Sequence, residues 1–116
     1  MTMKPYTESL LRCTLDQYRT TTSEGSWITS LNPDNIRLEF IPMRRPLSIG
    51  FGTHIIYFNK TAQAKELFPY YIKALWHIKQ KREYRWKYWF YKVFCPSKVN
   101  NPADERAELA ANWLYN

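Results

Sequence analysis

The chain predicts an α+β domain: a small antiparallel sheet of about three strands, with helices packed on one face, in the order α-β-β-α-β-α. Three observations predict it. Apolar residues recur at helical spacing in three stretches. Three other stretches alternate or run apolar at strand length. Pro, Gly, Asn and Ser separate the two kinds of pattern. The 116 residues suit one domain, 1–116, and 45% hydrophobic residues are enough to build its core.

Residues 7–20 read as the first helix. Thr7 is a candidate N-cap, and Leu10, Leu11, Leu15 and Tyr18 recur at helical spacing. The Thr- and Ser-rich run 20–26 ends it. Gly25 and the Asn32-Pro33-Asp34 turn mark a loop region whose Trp27, Ile28 and Leu31 are expected to pack onto the domain. Residues 36–41 alternate, with Ile36, Leu38 and Phe40 on one face and Arg37 and Glu39 on the other, which predicts a half-buried strand. Pro42 and Pro46 break it. Residues 51–58 predict a second strand, antiparallel to the first across a long loop, 43–50, that carries Arg44 and Arg45.

Asn59 or Thr61 can cap a second helix from about Ala62, and at Pro69 the chain either kinks or starts a new helix. Tyr71, Ala74, Leu75 and Ile78 form its apolar face. The helical period then fails, because Lys81, Arg82 and Arg85 stand where apolar residues are due. Residues 84–94 alternate instead, with Tyr84, Trp86, Tyr88 and Phe90 on one face, and predict a strand paired with one of the earlier two. The alternative is one continuous helix across this segment. The last helix is expected to have Asn101 as N-cap, Pro102 at its first position and Asp104 and Glu105 in its first turn.

The formal net charge is +7 and the sequence pI about 9.5. Residues 73–98 hold eight bases and one acid, a net +7, so this segment supplies the whole excess. Eleven of the twenty aromatics fall between Phe68 and Phe94, interleaved with those bases. Such interleaving suits phosphate contact with base stacking. It equally suits a solvated basic face over an aromatic core.

Little else in the sequence carries chemistry. His54 and His77 have no Cys, Asp or Glu at ligand spacing, so no metal is expected. Cys13 and Cys95 form no CxxC and have no histidine beside them in sequence. They read as reduced thiols in a cytoplasmic protein. The carboxylates make no acid/base pair, and Gly50-Phe51-Gly52 lacks the strand-helix setting and the lysine of a nucleotide loop. No cofactor and no catalytic residue is expected. No apolar run follows Met1 to Pro5, and no stretch reaches the roughly 18 apolar residues of a membrane span. The sequon Asn59-Lys60-Thr61 therefore reads as chance.

The expected function is a non-enzymatic nucleic-acid-binding or nucleoprotein-associated module. Its contacts would come from Lys79, Lys81, Arg82, Arg85, Lys87 and Lys92, with Trp86, Tyr88 or Trp89 stacking. The alternative is a protein-binding accessory, an adaptor or small inhibitor, whose basic aromatic face docks on an acidic partner surface. A weaker third reading is peripheral membrane contact through Lys87, Trp89 and Lys92.

Overall fold

A computed structural model describes residues 4–49, 54–94 and 96–115, with side chains described for 6–47, 54–83 and 103–115. Helix α1 spans Lys4–Thr21, so Thr7 lies inside it rather than capping it. Of its expected apolar stripe, Leu11, Leu15 and Tyr18 are buried, whereas Leu10 is 40% exposed. The predicted loop after it folds instead into a short helix, α2 (Gly25–Ser30), and a single 3-10 turn, Pro33–Asn35. Gly25 permits this tight return. A Cβ there would collide with the backbone carbonyl oxygen of Arg19. Ile28 and Leu31 are buried, as their apolar character implies.

Strand β1 (Arg37–Ile41) follows, then β2 (Leu47–Ile49), then β3 (Ile55–Asn59). The sheet order is β1-β3-β2. The expectation of an antiparallel sheet is corrected at its first pair. β1 runs parallel to β3, in the register Leu38↔Ile56 and Phe40↔Phe58. Parallel neighbours need a return path, which is more often a helix. Here β2 provides it, running antiparallel along the far side of β3 with Leu47↔Phe58. β2 thus lies in the segment expected to be a loop, and the start of the predicted second strand, 51–53, lies outside the described residues. Leu38, Ile56 and Phe58 are buried, and Phe40 stacks on Phe58 at 5.3 Å between ring centroids.

The second correction concerns 84–94. This segment is not a strand: it is the end of α3, one helix over Ala64–Phe94. The helix carries Pro69 in its second turn, where only the carbonyl four residues earlier loses its donor. The final helix α4 begins at Pro96, five residues before the expected cap, and runs to Tyr115 with Pro102 inside it. The element order is therefore α-α-β-β-β-α-α, with α3 and α4 each longer than the sequence pattern indicates.

The core lies between the sheet and the helices. Tyr71 of α3 meets Phe58 of β3 edge-on at 5.7 Å. Tyr18 of α1 meets Phe68 of α3 at 5.6 Å and Trp113 of α4 at 5.2 Å, both edge-to-face. Arg12 fastens α1 to the entry of β1. Its guanidinium donates to the carbonyls of Pro33 at 3.1 Å and Ile36 at 3.0 Å, and it pairs with Glu8 at 3.3 Å.

Candidate functional site

The segment that carries the excess charge is α3 and the start of α4. On α3, Leu67, Phe68, Tyr71, Ile72, Ala74, Leu75 and Ile78 are each at most 1% exposed and face the core. The opposite line is Glu66, Tyr70, Lys73, His77 and Lys81, all exposed or half-buried. Past Glu66 it is a helical stripe of tyrosine and basic residues.

A helix distributes the nine sequence-predicted contact residues differently from a strand. Positions 88 and 92, seven and eleven residues past Lys81, prolong the outward line. Positions 82, 85, 86 and 89 prolong the lines of Leu75 and Ile78, which are buried upstream. Lys87 prolongs the line of Trp76 and Gln80. Lys81, Tyr88 and Lys92 thus share one line, whereas Arg82, Arg85, Trp86 and Trp89 share another. The side chains of Arg85, Trp86, Lys87, Tyr88, Trp89 and Lys92 lie outside the described residues.

Lys79 and Arg82, both predicted contact residues, are engaged within the fold. Lys79 pairs with Glu83 at 2.9 Å and stands 4.8 Å from the centroid of the Trp76 ring. Arg82 donates to the carbonyl of Leu31 at 2.9 Å, tying the end of α2 to α3. Beyond these, Lys73 forms an ion pair with Asp104 of α4.

Sequence reasoning missed the surroundings of Trp76. Trp27 of α2 meets it edge-on at 5.0 Å, and the Arg106 guanidinium lies 4.9 Å from its centroid. Arg106 also pairs with the buried Glu24 at 3.3 Å, without the alignment of a hydrogen bond. The indole N–H groups of Trp27 and Trp76 and the Gln80 Oε1 are buried without hydrogen-bond partners. The spacing of Lys79 and Glu83 was a readable signal, being an i,i+4 pair of opposite charge. The approach of Trp27, Glu24 and Arg106 needs tertiary structure and leaves no sequence signal.

Elsewhere, a shallow apolar groove of 170 Å³ is lined by Leu10, Thr14, Ala64, Lys65, Phe68 and Leu114. Lys65 is held over the Tyr115 ring at 4.8 Å. Cys13 is a free, exposed thiol on α1, and Cys95 lies outside the described residues. Among the described residues, no group of three His, Cys, Asp or Glu could hold a metal ion. No helix among them is long and apolar enough to cross a membrane. Comparison with family models, with curated proteins and with solved structures finds no match to this chain.

Proposed function

We propose that this chain is a non-enzymatic, cytoplasmic module that binds nucleic acid, directly or within a nucleoprotein, through the outward line of α3. The observation that carries this reading is the concentration of the entire net +7 in residues 73–98, on one long helix and the start of the next. Lys81 and Lys92 supply phosphate contacts on that line, and Tyr70 and Tyr88 supply flat surfaces. Arg82 and Lys79 serve the fold, so their replacement tests stability as much as binding.

The direct test is fluorescence anisotropy with labelled duplex and single-stranded oligonucleotides over a range of salt. Affinity should fall by about 0.9 log units per log unit of salt for each duplex phosphate contacted. Lys81→Gln with Lys92→Gln should lower that slope by nearly 2, with the circular dichroism spectrum unchanged. No binding at about 100 μM protein, the weak limit of non-specific affinity, would sink the reading.

The second reading, docking on an acidic protein surface, draws on Tyr70. It is 43% exposed on the outward line, one turn before Lys73. A partner recovered from lysate after nuclease treatment, and lost with Tyr70→Ala, would favour it.

A further inference from the structure

We propose a second phosphate-contact surface, formed by Arg44, Arg45 and Lys60, which extends the nucleic-acid interface around the start of α3. This rests on the nucleic-acid reading above. Its three residues lie outside the segment that carries the net charge.

Residues 40–65 contain four bases, Arg44, Arg45, Lys60 and Lys65, and no acid. The topology brings three of them together. The link from β1 to β2 must pass over the end of β3, because β3 lies between those strands in the sheet. Two backbone hydrogen bonds fix it there. The Lys60 N–H donates to the Ile41 carbonyl at 3.0 Å, and the Asn59 N–H donates to the Pro46 carbonyl at 3.0 Å. Pro42 and Pro46 restrict the backbone at either end of the link. Arg44 and Arg45 occupy the bend between these anchors, and both are exposed, as is Lys60. The Asn59 side-chain oxygen accepts from the backbone N–H and hydroxyl of Thr61 at 3.1 and 2.8 Å, so the chain around Lys60 is also held.

The charge at this end is not spent internally. Among the described residues, none of the three cations has an ion-pair partner. The nearest acid upstream in sequence, Glu39, is taken by Arg37 at 2.7 Å. Lys65 is drawn to Tyr115 and is left out of the set. Two guanidiniums and an ammonium on a pinned turn, without carboxylates, fit the phosphates of a polyanion. Arginine forks can hold phosphate oxygens in pairs.

The test is anisotropy with a labelled duplex of about 16 base pairs, comparing wild type with the triple variant Arg44→Gln/Arg45→Gln/Lys60→Gln. Exposed positions are chosen so that the fold survives, which circular dichroism checks. The salt slope should fall by about 2 to 3 units, at roughly 0.9 for each phosphate no longer neutralised. The control Arg19→Gln removes a charge already paired with Asp16 at 2.7 Å and should leave the slope unchanged. A triple variant with the wild-type slope, beside a Lys81→Gln/Lys92→Gln variant whose slope falls, would overturn this surface and keep the α3 reading. Absence of duplex binding by wild type would overturn both. Binding to phosphatidylserine vesicles that exceeds duplex binding, and is lost in the triple variant, would overturn the proposal in favour of lipid headgroups.

Discussion

Tyr71 shows how one atom can be tolerated by a fold without supporting it. Its ring is fully buried against Phe58, and its hydroxyl has no hydrogen-bond partner. Burial pushes its pKa from the ordinary 10.0 up to about 12. Tyr18 is also pushed up to about 12, by burial and then by the Glu24 carboxylate, with Arg106 opposing. Both rings are neutral in the native state. Their contribution is intact below the ordinary value of 10.0 and is lost as pH rises through about 12, where the unfolded chain ionises first. Tyr71→Phe removes an unpaired polar atom and keeps the ring. Stability near pH 7 should therefore be unchanged or rise by up to about 1 kcal/mol. The decline between about pH 10 and 12 should become shallower, with the raised Tyr18 still contributing to it. Urea midpoints at neutral and alkaline pH measure both effects. A loss of more than about 1 kcal/mol at neutral pH would mean that the hydroxyl is bonded after all.

At the scale of elements, α3 explains most of the difference between expectation and structure. Apolar spacing alone predicts that the helical period fails at Lys81 and Arg82. The helix continues all the same: Arg82 stays exposed, and its guanidinium donates to the Leu31 carbonyl instead of entering the core. A long stem can lie along apolar surface while its head finds an acceptor, and apolar periodicity does not register this. Beyond it, tyrosines, tryptophans and bases alternate, which is as compatible with a helix as with a strand when a second helix packs alongside. α1 and β1 were legible because Leu11, Leu15 and Tyr18, and then Leu38 and Phe40, keep one period throughout. The parallel pairing was not legible, because it depends on β2, whose three residues Leu47–Ile49 carry no pattern of their own. Of the candidate contact residues, the sequence located the segment but not the division of its positions around a helix. Arg82→Ala should therefore act on stability, lowering it by about 1 kcal/mol through loss of a charge-assisted bond between α2 and α3. The exposed Arg45→Ala should stay within about 0.5 kcal/mol of wild type. Equal urea midpoints for the two variants would show that the Arg82 tie contributes nothing.

At the scale of the whole molecule, the two cationic surfaces set a length that a ligand must satisfy. The principal extents are 41 × 31 × 23 Å. Lys60 precedes α3, whereas Lys81 lies about 26 Å and position 92 about 42 Å along it from its first residue, at roughly 1.5 Å per residue. A polyanion that engages both surfaces must span a distance of that order. Hairpin duplexes with stems of about 6 and about 16 base pairs offer roughly 20 and 54 Å, at about 3.4 Å per pair. The short stem can reach one surface at a time, and the long stem both. On the long stem, the Arg44/Arg45/Lys60 variant and the Lys81/Lys92 variant should each lower the salt slope, and their combination should lower it by the sum. On the short stem the wild-type slope should already be smaller. Either variant alone should then change it little, because the ligand moves to the remaining surface. A mixed result also discriminates: equal slopes on short and long stems, with only one variant active, would mean that a single surface binds and that the other basic end serves solubility.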